Sequence, residues 1–430
     1  MSAAASAPAV ATTGRETYAR LWRWHFYAAF LVIPFVLWQS VTGTLYLWHE
    51  ELADRQHAEL RFVEPWPERT SYADQLALAG ILVPDGRVSH VVIPDDPRRA
   101  TMVVMRGANG LPEPVFVDPY SGQVLGHVGG TSWLPGLTRA LHGGWPLGDW
   151  GSYLLELGAS WAIVMVLTGL YLWWPRHARG LAGVLYPRFT LGTRVLWRDL
   201  HAVTGVWLSL VLLAFLATAL PWTKLWGGEI LAPVQRALGQ SAPPAASFGP
   251  VPYASTTGQD TRERTLDEVV ATARREGLVQ TLHVRLGRGE QPISVRSVAA
   301  RAQDERQLLI DRGTGSVLAR ADWNDMPPIA RAIALGVDLH EGRLFGRANQ
   351  WVNTAITAAL VWLAVSGFVG WYRRRPEGGL AEPPRVHRAL GRPVIAVGAV
   401  LCLLLPLLAL SVLLLWTVDA AVRRYRVPVR

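Results

Sequence analysis

Five long apolar stretches constrain the fold of this 430-residue chain more than any other feature of its sequence. A helix needs roughly 20 apolar residues to cross a hydrocarbon core of about 30 Å. The stretches that meet this requirement are residues 26–48, 153–174, 202–222, 351–372 and 394–418. The sequence therefore predicts an integral membrane α-helical bundle with about five transmembrane helices. The first stretch is interpreted as an uncleaved anchor, because its apolar run exceeds that of a signal peptide and no Ala-x-Ala site follows it.

The remaining residues divide into long and short connections. The short loops 175–201 and 373–393 and the N-terminal segment 1–25 are rich in arginine, which predicts a cytoplasmic location for all three. The long segments 49–141 and 223–339 are then external domains, and residues 142–174 and 340–372 each join an external histidine segment to a span. The tail 419–430 disagrees with five full crossings, since it carries four arginines: Arg423, Arg424, Arg426 and Arg430.

Charge and cysteine content exclude several classes of protein. The formal net charge is +9, but the arginines lie beside apolar runs and do not form one stripe, so topology explains them and no nucleic-acid partner is expected. The single cysteine, Cys402, lies within an apolar run. A disulfide framework and a cysteine-ligated metal site are therefore excluded.

The chain contains an internal repeat that pairs its histidines. His25 and His201 open the first and third spans, and His142 and His340 precede the second and fourth. A threonine follows each member of the first pair by 17 residues, and a hydroxyl residue followed by glycine begins 26 residues after each member of the second. These positions are Thr42 and Thr218, and Thr168-Gly169 and Ser366-Gly367. The spans and their histidines are thus duplicated.

The external segments repeat as well. Residues 115–125 and 308–318 each read as strand, turn and strand. Residues 265–276 have the spacing of a short amphipathic helix with an acidic first turn, and a β-rich run, 279–298, follows. Two small α+β domains are predicted, so the architecture is span, external domain and span, twice over, plus one final span.

The four repeated histidines carry the functional argument. A single histidine near a membrane boundary is usually an interfacial polar residue, but two matched pairs favour a shared purpose. Haem iron accepts imidazole as an axial ligand, and a haem between helices needs one histidine from each of two neighbours. We therefore predict two haem b groups, one held by His25 and His201 and one by His142 and His340. The nearby glycines could make room for a macrocycle or could simply permit close helix packing; they are Gly143, Gly144, Gly205 and Gly342.

Several motifs resemble those of the PepSY-associated transmembrane family. The resemblance covers nearly the whole chain and rests on Arg-x-x-His before a span, Leu-His-Gly-Gly, Trp-Trp-Pro-Arg, Leu-His-Glu-Gly-Arg-Leu-Phe-Gly and Trp-Tyr-Arg-Arg-Arg. It implies PepSY-like external domains and similarity to the di-haem inner-membrane ferric-siderophore reductases of Gram-negative bacteria, with the external domains in the periplasm. It also implies the four histidines as haem ligands. His25 departs from the pattern, because it follows Arg23 by two residues where His201 follows Arg198 by three.

Other histidines have weaker cases. His387, or His177, could replace a cytoplasmic-side ligand, although both lie outside the repeat. His49 could contact an external metal or substrate, but a solvated helix end is the simpler interpretation. No role is assigned to the histidines without ligand spacing, which are His57, His90, His127 and His283.

The expected function is electron transfer across the bacterial inner membrane to ferric iron, for iron uptake. An electron would enter at the pair His25 and His201, pass to the pair His142 and His340, and reduce a ferric siderophore or other ferric chelate at the external domains. The donor would be quinol or another protein, because no Gly-x-Gly-x-x-Gly motif follows a strand. The alternatives are a transporter, which would be expected to carry ionisable groups inside its spans, and a non-redox PepSY binding or regulatory module anchored in the membrane.

Overall fold

The computed structural model describes residues 9–82, 87–176, 180–243, 255, 263–287, 289–377, 379–384 and 390–425. The chain divides into two compact units. The helical unit comprises Met1–Val41, Gly143–Leu231 and Thr354–Arg430, and the sheet unit comprises Thr42–His142 and Ala232–Asn353. Both halves of the sequence repeat contribute to each unit.

Helices and strands alternate along the chain in blocks that follow the repeat. The helices are α1 (Ala9–Leu47), α2 (His49–Gln56), α3 (Ala58–Arg61), α4 (Tyr72–Leu82), α5 (Leu134–His142), α6 (Asp149–Trp173), α7 (Thr193–Ala219), α8 (Ala232–Ala237), α9 (Leu266–Arg275), α10 (Pro328–His340), α11 (Arg347–Tyr372), α12 (Arg392–Leu404) and α13 (Pro406–Tyr425). The strands are β1 (Arg87–Ile93), β2 (Thr101–Arg106), β3 (Pro112–Val117), β4 (Val124–His127), β5 (Thr281–Arg285), β6 (Ile293–Val298), β7 (Gln307–Ile310) and β8 (Val317–Ala321). A π-helix, Lys224–Leu231, follows α7.

Among the described residues, five helical segments are long and apolar enough to cross a membrane. They are Arg15–Leu47, Asp149–Trp173, Thr193–Trp222, Arg347–Tyr372 and Pro406–Arg424. The prediction of about five transmembrane helices is confirmed at this level. The location of each end relative to the cytoplasm stays a prediction.

The last span differs from its predicted bounds. Residues 394–418 were expected to form one helix, but the structure divides them between α12 and α13 at Leu405, whose φ of −127° and ψ of 85° are not helical. Pro406 explains the break, because proline has no backbone N–H and disfavours helical backbone at the preceding residue. Only the second part, Pro406–Arg424, is long enough to be a candidate span. The arginines Arg426 and Arg430 of the tail lie outside the described residues.

One ionisable side chain is buried in α6. Glu156 was expected near the end of its span, and its side chain is 1% exposed. Its carboxylate accepts a hydrogen bond of 3.0 Å from the backbone N–H of Trp226 in the π-helix. The carboxylate thus holds the segment that follows α7 against α6.

The two predicted α+β domains share one sheet. The eight strands run in the order β4-β3-β2-β1-β5-β6-β7-β8, and each neighbouring pair is antiparallel. β1 of the first half pairs with β5 of the second through Val91 opposite Val284 and Ile93 opposite Leu282. These four side chains are at most 1% exposed. Pairing satisfies the open edge that each four-strand motif would otherwise present, which is why two similar motifs become one sheet.

The local motifs of the sheet unit follow the sequence predictions. Thr265 caps α9, and Glu268 completes a capping box, which confirms the predicted helix with its acidic first turn. The repeated strand-turn-strand motifs form β3-β4 and β7-β8. In both turns an aspartate carbonyl, of Asp118 or Asp311, accepts from a glycine N–H four residues later.

The two faces of the sheet have different neighbours. One face packs under α4 and α9 in a core that includes Val103, Val115, Val295 and Leu308. Asp267 at the start of α9 also accepts from the backbone N–H groups of Tyr72 and Ala73, at 2.8 and 3.0 Å, and so caps α4 of the other half. On the opposite face, a second apolar cluster joins the sheet to α2, α3 and the residues that precede α5.

Two histidines meet where β1 and β5 pair. No role was assigned to His90 and His283 from the sequence, yet their rings stack with centres 5.4 Å apart and planes 22° apart. Burial, with the nearby charges of His283, Arg285 and Arg106, lowers the pKa of His90 to about 3. Burial and the charge of Arg296 lower the pKa of His283 to about 4. Both imidazoles are therefore neutral near pH 7.

This pair makes stability depend on pH. Above about pH 6.5 the folded and unfolded chains bind equal numbers of protons at these residues. As the pH falls from about 6.5 towards 4, only the unfolded chain takes up protons there, so the free energy of unfolding should decrease. Thermal unfolding midpoints of the detergent-solubilised protein across this range should fall in the wild type and fall less in the His90→Gln/His283→Gln variant. The control is His127→Gln, in β4, and equal slopes in all three proteins would contradict the prediction.

Candidate functional site

The structure brings the four repeated histidines together as two pairs. His25 of α1 faces His201 of α7, with ring centres 6.4 Å apart and planes 79° apart. His142 of α5 faces His340 of α10, with ring centres 6.3 Å apart and planes 65° apart. We call these the helical-unit pair and the sheet-unit pair, after the units that contain them. Each pair takes one histidine from each half of the repeat, as predicted.

Hydrogen bonds set the orientation of the rings in the helical-unit pair. Nδ1 of His25 lies 3.0 Å from Oγ1 of Thr168, and that hydroxyl donates its proton to the carbonyl of Val164 at 2.8 Å. Nδ1 of His201 lies 3.1 Å from the carbonyl of Leu363 and 3.4 Å from Oγ of Ser366. Because a carbonyl can only accept, and the Thr168 proton is already donated, Nδ1 carries the hydrogen in both rings. Nε2 is left with a free lone pair in each.

His142 of the sheet-unit pair has the same kind of support. Its Nδ1 lies 3.0 Å from Oγ1 of Thr42, which fixes the direction of the ring. Burial, with a smaller contribution from His340, lowers the pKa of His142 to about 4. This imidazole is therefore neutral near pH 7, and a neutral imidazole is the form that binds a metal.

The segment that carries His340 is held by buried amides of α11. Asn353, which is 1% exposed, donates to the carbonyls of Leu339 and His340 at 2.8 and 3.0 Å. Asn349 also donates to the Leu339 carbonyl, at 3.1 Å. These carbonyls belong to the last turn of α10, where the regular hydrogen-bond pattern of the helix ends. The two asparagines thus fix the end of the helix that carries the histidine.

Three glycines let the histidine rings lie against a neighbouring backbone. A Cβ added at Gly169 would lie 3.2 Å from Cε1 of His25, and one at Gly43 would lie 3.1 Å from Cε1 of His142. A Cβ at Gly367 would lie 2.9 Å from Cε1 of His201. Each glycine directly follows the hydroxyl residue that contacts the same ring. A hydroxyl residue and a glycine together form the seat of each of these rings.

The glycines noted in the sequence have other roles where contacts define them. A Cβ at Gly144 would meet the backbone of Gly151 at 2.6 Å, and one at Gly342 would approach Leu47 and the backbone of Gln350. Gly205 is near Leu363 only. Close packing of backbones is therefore the better interpretation for Gly144 and Gly342.

The seat residues were visible in the sequence but were not assigned. Thr42, Thr168-Gly169 and Ser366-Gly367 served only as markers of the repeat. Sequence spacing could not show that Thr42, 17 residues after His25, bonds His142, or that Thr168, 26 residues after His142, bonds His25. Each contact joins two different helices, so it depends on how the helices pack.

The donor set of each pair suits an axial position on a metal that has other ligands. Two imidazole nitrogens at about 2 Å from one metal, on opposite sides, place the ring centres roughly 6 Å apart, as observed in both pairs. Within the described part of the chain, no group of three or more His, Cys, Asp or Glu side chains could hold a metal ion by itself. Two imidazoles at this separation fit a planar macrocycle that supplies the remaining ligands.

None of the other histidines that the structure describes joins these pairs. His49 stacks on Tyr46, and the acids beside it are engaged, since Glu50 binds Arg61 and Glu51 binds Arg347. His177 and His387 lie outside the described residues.

The fold and these pairs define a class: a multi-pass membrane protein with a duplicated set of helices and a shared antiparallel sheet. The family described as PepSY-associated TM region matches residues 22–374. The chain belongs to this family, and the matched region includes all four paired histidines. No curated protein matches the chain.

Loss of the amide at Asn353 should weaken the sheet-unit pair. In Asn353→Leu the carbonyl of His340 loses a buried donor, and the loss of such a hydrogen bond costs roughly 1–3 kcal/mol. The carbonyl of Leu339 keeps the amide of Asn349. We expect a lower thermal unfolding midpoint of the purified protein. Asn324→Leu, at an exposed position after β8, is the control and should change the midpoint much less. Equal midpoints in the wild type and Asn353→Leu would contradict this role.

Proposed function

We propose that the protein is a haem-containing reductase of the bacterial inner membrane. It passes electrons across the membrane and reduces ferric iron, bound to a siderophore or another chelate, in the periplasm for iron uptake. The observation that supports this best is the duplicated pair of imidazoles, each with ring centres 6.3 to 6.4 Å apart. A binding module anchored by inert helices has no use for two such pairs.

Each pair would hold one haem b by one ring nitrogen of each histidine. Haem bound there would supply reversible one-electron chemistry between ferric and ferrous iron. The protein's part is to orient the rings. Thr168, Leu363 and Thr42 hold Nδ1 of His25, His201 and His142, which fixes the ring direction and raises the basicity of the opposite nitrogen.

The arginines support the direction proposed for electron flow. Arg15, Arg20 and Arg23 lie at the N-terminal end of the first span, and further arginines fill the loops 175–201 and 373–393. By the positive-inside rule these segments are cytoplasmic and the sheet unit is periplasmic. The helical-unit pair would then receive the electron from quinol or a protein donor, and the sheet-unit pair would lie on the side of the ferric substrate.

Haem content tests the ligand assignment. Purified wild-type protein should show a Soret band and about two haems per chain, the number of imidazole pairs. His25→Ala and His142→Ala should each remove roughly one haem, because loss of one axial ligand empties one pair. His127→Ala is the control and should keep both. Full haem content in both His142→Ala and His340→Ala would refute the assignment of the sheet-unit pair.

Reduction of ferric chelates tests the activity. Membranes that contain the wild-type protein should form ferrous iron from a ferric chelate faster than membranes without it. His142→Ala should lose this difference and His127→Ala should keep it. Equal rates with and without the protein, across several chelates, would favour a non-redox binding module.

A glycine substitution tests the seat of His201 without removing a ligand. In Gly367→Ala the new methyl group would approach the His201 ring to 2.9 Å, so the ring must move and the haem of the helical-unit pair should be partly lost. Gly370→Ala lies three residues further along α11, where an added Cβ has no neighbour within 4 Å. It should keep the wild-type Soret absorbance. Equal absorbance in the two variants would show that Gly367 is not part of the seat.

A further inference from the structure

The sheet face opposite α4 and α9 carries a cluster of basic side chains on its central strands. In register, Arg87 lies opposite Arg106, Val92 opposite His283, and His283 opposite Arg296. A bulge between Val88 and His90 places both Arg87 and His90 on this face. We call Arg87, His90, Arg106, His283 and Arg285 the basic face.

The charges of the basic face repel one another. Like charges directly opposite in an antiparallel pair are unfavourable, and Arg87 and Arg106 are such a pair. Burial together with the charge of Arg106 lowers the pKa of Arg285, so a third guanidinium lies within the same positive field. The three arginines are exposed to solvent. An anion that lies among them would relieve this repulsion.

The stacked imidazoles lie beside these arginines on the same face. His90 and His283 are half-buried, with rings 5.4 Å apart, and His90 lies near the charges of Arg285 and Arg106. Since both imidazoles are neutral near pH 7, they add flat, polar surface without further charge. Their nitrogens can exchange hydrogen bonds with carboxylate or hydroxyl groups.

This face is the one connected to the segments that carry the sheet-unit pair. In the second half of the repeat, Arg296 donates to the carboxylate of Glu305. The same carboxylate accepts a hydrogen bond of 2.6 Å from Arg343. Arg343 follows His340 by three residues and lies 3.6 Å from Asp338. Arg296 lies opposite His283 of the basic face, so ion pairs connect a neighbour of the basic face to the end of α10.

The first half makes a matching connection through aromatic side chains. Phe116 of β3 lies on the same face, since it pairs with Met102, and Met102 pairs with Val92. Its ring packs against Trp133, with centres 5.8 Å apart. Trp133 directly precedes α5, which carries His142.

We propose that the basic face docks the ferric substrate, and that the substrate is a chelate with net negative charge whose donors are carboxylates, as in ferric citrate. This inference rests on the proposed function and specifies its substrate class. Guanidinium groups bind carboxylates by paired, charge-assisted hydrogen bonds. Residues on the same sheet face connect it to both histidine-bearing segments, so a chelate docked there would lie on the side of the sheet that faces these segments.

Gallium citrate separates docking from reduction, because Ga(III) has the charge of ferric iron but is not reduced by the protein. Its binding to full-length, detergent-solubilised protein is measured by calorimetry. In Arg106→Gln/Arg285→Gln the dissociation constant should rise at least about tenfold, since two charge-assisted contacts are removed. The neutral tris-maltolate complex of gallium should bind the wild type at least about tenfold more weakly than the citrate complex, for lack of charge.

Arg320→Gln is the matched control. Arg320 lies on β8 of the same sheet, but its cross-strand partner is Leu308 of the core under the helices, and it binds Glu276 at 2.7 Å. The Arg320→Gln substitution removes one arginine from the face under α4 and α9 and should leave gallium citrate affinity unchanged. Haem content and thermal midpoint, measured on each variant, show that it is folded.

The outcomes separate this inference from the function on which it rests. Wild-type gallium citrate affinity in Arg106→Gln/Arg285→Gln, or equal loss in Arg320→Gln, overturns the docking site even if haem and reductase activity are present. Equal binding of the citrate and maltolate complexes overturns it as well. Loss of gallium citrate affinity in the double variant but not in Arg320→Gln supports the docking site. If the protein shows this selective loss but is colourless or inactive, only the reductase proposal is overturned.

Discussion

The structure depends on how buried imidazoles are satisfied. A neutral histidine ring has one nitrogen that donates and one that accepts, and burial without partners for both costs free energy. In His25 and His201 the donating nitrogen is bound to a hydroxyl or carbonyl of a neighbouring helix. The other nitrogen, Nε2, is then the accepting nitrogen of each ring. Helix packing, hydroxyl positions and glycines in contact with the rings all serve this arrangement.

Duplication explains why the pairs exist at all. His25 and His142 come from the first half of the repeat and His201 and His340 from the second, so neither half contains a complete site. The sheet follows the same rule, because β1 and β5 are the first strands of the two halves and pair with each other. One duplicated sequence thus produces two imidazole pairs and one continuous sheet. The imidazole pairs are therefore formed by contacts between the two halves of the repeat, and not by contacts within either half.

The sheet separates two environments within the sheet unit. Its helix-covered face is apolar and carries the core that both halves share. Its other face contacts the segments that precede or follow the histidines and carries the basic cluster. Because alternate residues of a strand point to opposite faces, a bulge in β1 was needed to place both Arg87 and His90 on that side. The bulge in β1 therefore determines which basic side chains lie together on this face.

The sequence by itself determined the spans, the repeat, the capped helix α9, the strand-turn-strand motifs and the choice of four histidines, because these depend on residues close together in the chain or on a period within it. The break at Leu405 was not predicted, although Pro406 marks its position in the apolar run. Only the tertiary structure decided that the two β motifs share a sheet, that His90 meets His283, and that Thr42 and Thr168 orient histidines on other helices. These contacts join residues far apart in sequence, and hydrophobic periodicity specifies which face of an element is buried but not which neighbour covers it.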